Sequence, residues 1–258
     1  MENKVAVVTG ASSGIGAALC KKLGAQGWCV VLAARRKKEL EETAAQCGAN
    51  ALVVVTDVTK RDEVERLKKE ALEKFGRIDV WVNNAGRGIS RKVMELSETD
   101  FDEMMSINVK SALFGIWAVV PHFQEQGKGH LINISSFLGR IPFVNHRSAY
   151  NAAKSALNSL TANLRTDLRR THPGVKVSLV MPGIVSTDFA KNAVYGTPPM
   201  PPGAASRVPT QTQQEVADIL VELIKNPKPE IYTNPSSVET AKTYYADVGA
   251  FEDRMFQQ

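Results

Sequence analysis

KVAVVTGASSGIGAALCKKLG, residues 4–24, decides how this chain folds. It opens with a continuous apolar run rich in Val, turns at Gly10, Gly14 and Gly16, and continues as apolar residues at helical spacing. A run that is apolar at every position, not every second one, reads as a strand buried on both faces, as in a parallel sheet. Glycines at the strand-to-helix turn let the backbone approach a ligand with no Cβ in the way. The new helix then points its unpaired N–H groups at whatever binds there, which favours an anion such as a pyrophosphate. Packing helix on strand is the other use of such glycines, so the turn alone does not establish chemistry.

The same unit recurs along the chain. WCVVLAAR (28–35), ALVVVTDV (51–58), IDVWVNNAG (78–86), GHLINISS (129–136), VKVSLVMPG (175–183) and EIYTNP (230–235) read as further strands. Helical patterns lie between them near 14–25, 37–47, 60–75, 98–122, 148–171 and 213–225, with Ser97 and Thr59 as cap signals. Strand and helix in alternation imply βαβ units and an α/β, Rossmann-type doubly wound parallel sheet. With no linker, repeat or shift of composition, residues 1–258 read as one domain. The exception to regularity is 189–211, with five prolines and two glycines, and we expect a substrate lid over about 187–211.

Composition narrows the function. The net charge of +5 is spread over mixed-sign helix faces, so no basic stripe marks a nucleic-acid partner. Cys20, Cys29 and Cys47 form no C-x-x-C pair, which argues against a disulfide framework and a metal site. No signal-peptide pattern is visible, and no apolar run reaches the roughly 18 residues of a membrane span. The longest, ALFGIWAVVPHF, stops at Pro121. A cytoplasmic location fits.

The end of the second strand bears on which dinucleotide the glycine turn would take. An acid there would bond the adenosine ribose; here Ala34 holds that place and Arg35 and Arg36 follow. A guanidinium can hold a 2′-phosphate, so NADP(H) is expected over NAD, with Arg35 the better placed of the two. The other reading makes both arginines the start of a solvated helix. In RSAYNAAKSALNSL (147–160), Tyr150 and Lys154 stand four apart and share a helix face.

Taken together, the motifs resemble the short-chain dehydrogenase/reductase family. They run in order: TGASSGIG (9–16), DV (57–58), NNAG (83–86), Asn108, INISS (132–136), YNAAK (150–154) and PGIVST (182–187). The resemblance implies a seven-stranded sheet in the order 3-2-1-4-5-6-7 and a nicotinamide-dependent oxidoreductase acting on alcohols or carbonyls. It implies a cofactor held by Gly10, Ser12, Ser13, Gly14, Ile15 and Gly16, by Arg35 and Arg36, and by Asp57 and Val58 near the adenine. Asn84, Ala85 and Gly86 would lie under the adenosine half, and Pro182, Gly183, Ile184 and Thr187 at the nicotinamide end. Tyr150 and Lys154 complete that set.

Reducing a carbonyl leaves an alkoxide, which needs a proton donor as charge develops. Tyr150 is the expected donor, with Lys154 lowering the phenol's pKa from near 10. Ser136 would orient the substrate oxygen, although Ser135 could be the turn residue or the partner. The resemblance gives Asn108 a water on a proton relay; a purely structural bond is the alternative. Asn83 and Asn84 read as scaffold.

Ser136 and Tyr150 are 14 positions apart, one more than the family spacing, so the pocket segment 137–149 carries an extra residue. The ending lacks the usual glycine-rich segment, which favours a dimer on helices 98–122 and 148–171 over a tetramer. Leu138, Phe143, Val144 and Phe189 are expected at the substrate, with Arg87, Ile89, Phe137, His146, Ile184, Val194, Tyr195 and Met200 around it. That lining suits a hydrophobic small molecule. An isomerase or lyase using its nicotinamide transiently, and a redox-sensing NADP(H)-binding protein, are the competing readings.

Overall fold

The computed structural model of the chain describes residues 4–196 and 210–256. β1 (Val5–Thr9) leads through the glycine turn into α1 (Gly14–Ala25), followed by β2 (Cys29–Ala34), α2 (Lys37–Ala44), β3 (Ala51–Val55), α3 (Arg61–Phe75) and β4 (Val80–Asn83). Next come α4 (Glu98–Met105), α5 (Ser111–Gln126), β5 (Gly129–Ile134), α6 (Ser148–Thr171) and β6 (Val175–Met181). The two-residue strands β7 (Val185–Ser186) and β8 (Gln211–Thr212) precede α7 (Gln213–Lys225), β9 (Glu230–Tyr232), α8 (Ser236–Ala246) and α9 (Val248–Phe256).

Seven parallel strands form one sheet in the order β3-β2-β1-β4-β5-β6-β9. This is the expected order; its last strand is ninth in the chain because β7 and β8 pair with each other across the base of the 187–210 excursion. The unbroken apolar runs follow from burial on both faces. In β1, Val5 and Val7 enter a core shared with α3, α5 and α6, while Ala6 and Val8 enter one shared with α1, α2 and α7. Each fully buried Val, Leu or Ile is worth about 1.5–3 kcal/mol, so both layers lock the sheet in register. The strand order reverses between β1 and β4, and a crevice at such a switch point is where these sheets bind ligands.

Three local expectations change. The helix expected over 98–122 starts at Ser97 with a reciprocal cap to Asp100, but a π turn interrupts it at Ser106–Lys110 and it runs on to Gln126. Pro121 does not stop it and lies inside α5. By length and composition the helix Glu98–Gln126 could cross a membrane, but 56% of its apolar window is buried in the fold. Thr59 does not cap α3; Lys60 takes that place and Thr59 donates to Asp57. Finally, α8 and α9 fold the tail back, packing Ala241 and Phe251 against Phe137 and Ile141.

Candidate active site

The glycine turn needs its glycines. Gly10 and Gly14 have φ of +67° and +61°, and a Cβ at Gly16 would lie 2.6 Å from Gly10 O. α1 begins with no side-chain cap and no acid in its first turn, so its N–H groups are presented forward. A cradle that a Cβ would fill, before an uncapped helix N-terminus, fits a dinucleotide pyrophosphate. Asn84 braces the turn: Nδ2 donates to Thr9 O at 2.8 Å, and Thr9 Oγ1 accepts from the amides of Asn84 and Ala85. Asn83 lies in a buried network with Trp81 and Asn133, the scaffold role expected for both asparagines. Thr187 lies against Gly14, bringing the segment after β7 to the turn.

At the end of β2 it is Arg36 that reaches over the turn, donating to Ser12 Oγ at 3.0 Å and Ser13 Oγ at 2.7 Å. Arg35, the better placed in sequence, is exposed and faces Asp57. Burial works to raise the Asp57 carboxyl, but two hydrogen bonds from Thr59 and the charges of Arg35 and Lys60 hold it below its usual range.

The second half of the site is buried. β5 delivers Ser135 and Ser136 at its end, and α6 lies across them. Ser135 is spent on structure, donating to Asn158 Oδ1 and Lys154 O. Ser136 hydrogen-bonds the Tyr150 phenol and accepts from Leu138 N at 3.1 Å. Lys154 is 3% exposed, and its Nζ donates to Ile134 O at 2.9 Å and lies 5.8 Å from the Tyr150 ring centroid. The phenol is not lowered as expected. Burial pushes Tyr150 up to about 12, against the Ser136 bond and the charge of Arg147. Burial also pushes Lys154 down to about 7, which leaves it only partly charged at neutral pH.

Asn108 sits in the π turn, a distortion that recurs at functional sites. Nδ2 donates to Arg87 O at 2.9 Å and Met104 O at 3.1 Å, and Oδ1 accepts from Arg87 N. That is the structural use of the amide: it clips the NNAG loop beside Lys154.

Leu138 packs on the cluster that holds Tyr150, and the Phe189 ring lies 5.5 Å from the phenol ring. Phe143 goes elsewhere, packing with Phe137 and Phe251, and Val144 serves as a turn whose carbonyl accepts from Arg147 N and Asn151 Nδ2. The described part of the segment expected as a lid, up to residue 196, is docked, and residues 197–209 lie outside the described residues. Val194 bridges Ile89, and Arg87 bonds Glu103 and Asn192 O. Tyr195, at φ +62°, donates to Asp100 beneath the Arg91 guanidinium. Met200 lies outside the described residues. A cavity of about 470 Å³ opens at the opposite end of the sheet, lined by Val5, Cys29, Arg77 and Lys128, and takes in none of these residues.

The family described as short chain dehydrogenase matches residues 4–196. The chain belongs to it. An uncharacterised oxidoreductase of Staphylococcus epidermidis is 39% identical over 196 residues, 76% of this chain and 84% of that one. A short chain dehydrogenase/reductase from Burkholderia phymatum, solved with NAD, superposes with a TM-score of 0.86 at 30% identity, covering 96% of this chain and 95% of that one. An alcohol dehydrogenase from Thermococcus sibiricus, solved with 5-hydroxy-NADP, gives 0.78 at 29%, covering 90% and 96%.

Two features of this short-chain dehydrogenase fold go beyond the sequence motifs. Arg147, three positions before Tyr150 in RSAY, places a charge that favours the ionised phenol. The Tyr195–Asp100–Arg91 contact joins distant segments, so no local pattern signals it.

Proposed function

We propose that this oxidoreductase interconverts a ketone or aldehyde and an alcohol on a fairly hydrophobic small molecule, with NADP(H) preferred over NAD. The convergence of Ser136, Tyr150 and Lys154 at the end of β5, under Phe189, carries the reading. When bound, the nicotinamide supplies or accepts the hydride. The chain's own part is the proton. A phenol at about 12 holds its proton throughout the neutral range, ready to donate it to an oxygen gaining negative charge. Ser136, already bonded to the phenol, points a second hydroxyl at the same place and orients that oxygen. Lys154 fixes the floor through Ile134 O, and Asn108 holds the loop above it.

The preference for NADP(H) rests on Ala34 in place of an acid and on Arg35 and Arg36 beside the turn. Leu138 and Phe189 supply apolar walls at the phenol. Exposed Phe101, Trp117 and Leu160 on α4, α5 and α6 support a homo-oligomer formed on those helices, which sedimentation would test.

The test is a screen of NADPH oxidation over ketones, aldehydes, steroids and quinones, with NADH in parallel. Turnover with an apolar carbonyl, faster with NADPH, is expected. Product formed with no net oxidation of the nicotinamide would instead select an isomerase or lyase.

A further inference from the structure

Among the described residues, one that is not glycine has a left-handed backbone: Tyr195, at φ +62°, followed by Gly196 at +70°. A tyrosine is strained in that region where a glycine is not. Burial does not account for the choice, since 55% of Tyr195 is exposed. What is left is the hydroxyl and the face of the ring, and both are engaged. The hydroxyl donates to Asp100 Oδ1 at 3.0 Å, and the Arg91 guanidinium lies 3.6 Å from the ring centroid, within cation–π range. Backbone strain of this kind persists where surrounding contacts hold it in place.

Both partners of Tyr195 are themselves fixed. Asp100 is 6% exposed, and its other carboxylate oxygen accepts from Ser97 N in the cap of α4. The Arg91 backbone donates to His146 O at 2.8 Å and accepts from Ser148 Oγ at 2.7 Å, at the start of α6. Next to the tyrosine, the chain runs beside the 88–91 loop: Val194 N donates to Gly88 O at 2.9 Å, and Ser90 N donates to Val194 O at 3.0 Å. A pairing this short is marginal by itself. Six positions earlier, the Phe189 ring lies 5.5 Å from the Tyr150 ring and fills the space at Gly88, where a Cβ would lie 3.0 Å from Phe189 Cε1. Tyr195 therefore fastens the far end of the segment that brings Phe189 to the phenol.

We propose that Tyr195 is a positioning residue, a latch that ties residues 187–196 to α4 through Asp100 and to the 88–91 loop through Arg91, and so holds Phe189 on Tyr150 before any ligand binds. That Phe189 forms a wall of the substrate site rests on the proposed function. The latch itself does not, and its test contains neither nicotinamide nor substrate.

In the full chain, NMR follows hydrogen exchange at the amides of Ser90 and Val194, and the ¹⁹F resonance of 3-fluorophenylalanine placed at position 189. Tyr195→Gly suits the left-handed backbone but removes both the hydroxyl and the ring. Exchange at the two amides should accelerate by at least about tenfold, while the amides of β1 and β4 keep the parent's protection. The ¹⁹F resonance should move toward its position in the unfolded chain. Tyr195→Phe keeps the ring under Arg91 and loses one hydrogen bond, so its exchange should accelerate less, by about two- to fivefold. Parental exchange in Tyr195→Gly would overturn the proposal, and so would faster exchange with an unmoved resonance, because Phe189 would then be seated without the latch. An equal loss of protection in β1 and β4 would make Tyr195 a general structural residue and overturn it as well. If Tyr195→Gly does not fold, Tyr195→Phe decides by the same readings: faster exchange confined to the two amides supports the latch, and parental exchange overturns it.

Discussion

The two halves of the crevice are built on opposite principles. At the glycine turn the work is done by backbone shape, and the charged side chains, Arg35 and Arg36, stand at the surface. At the end of β5 the backbone is ordinary, and the work is done by side chains so buried that Tyr150 moves up to about 12 and Lys154 down to about 7. Water screens charge in the first half; its exclusion in the second disfavours the charged form of each group. Binding and chemistry should therefore fail separately.

Tyr150→Phe removes the proposed proton donor and leaves the turn intact. Turnover in the NADPH assay should fall by at least about 10²-fold; near-parental turnover would remove Tyr150 from its role. Gly16→Val drives a side chain into Gly10 O, 2.6 Å from its Cβ. NADPH affinity, read by quenching of protein fluorescence, should fall by at least about tenfold, with thermal stability reporting that the chain still folds. Arg35→Ala and Arg36→Ala should each weaken NADPH about tenfold more than NADH, the scale of one charge-assisted bond. Equal losses for the two dinucleotides would return both arginines to the solvated helix face.

The smallest effect lies in stability. An unfolded lysine keeps its proton to about 10.4, whereas buried Lys154 releases it near 7. Between those values the unfolded chain binds more protons than the folded one, so stability rises with pH across that window, and below it the full cost of burying the charge is felt. Lys154→Met should therefore raise Tm relative to the parent by at least about 5 °C more at pH 6 than at pH 9. A pH-independent difference would mean that Lys154 is solvated.

The legibility of the site follows the same division. The strands were readable because burial on both faces makes every position apolar, and the turn because Gly10, Gly14 and Gly16 fall directly between an apolar strand and an amphipathic helix. Tyr150 and Lys154 were readable as a pair, but the direction of the phenol's shift was not. It depends on how deeply both groups are buried and on Arg147, quantities set by packing and not by spacing. That Ser135 bonds Asn158 and Lys154 O was not legible either, since those partners come from α6, across the fold. The π turn at Asn108 and the helix through Pro121 were hidden for the same reason, since tertiary contacts overrode local propensity. The tail did carry a signal, Ala241, Tyr244 and Phe251 at helical spacing, although its partners Phe137 and Ile141 lie about a hundred residues away.

The most direct test sets Tyr150→Phe and Gly16→Val side by side, measuring NADPH affinity and turnover at saturating NADPH in both. A crossed pattern is expected: Tyr150→Phe binds within about twofold of the parent but turns over at least about 10²-fold more slowly, and Gly16→Val binds at least about tenfold more weakly but regains most of its turnover once saturated. Parallel losses in both quantities for both proteins would contradict it.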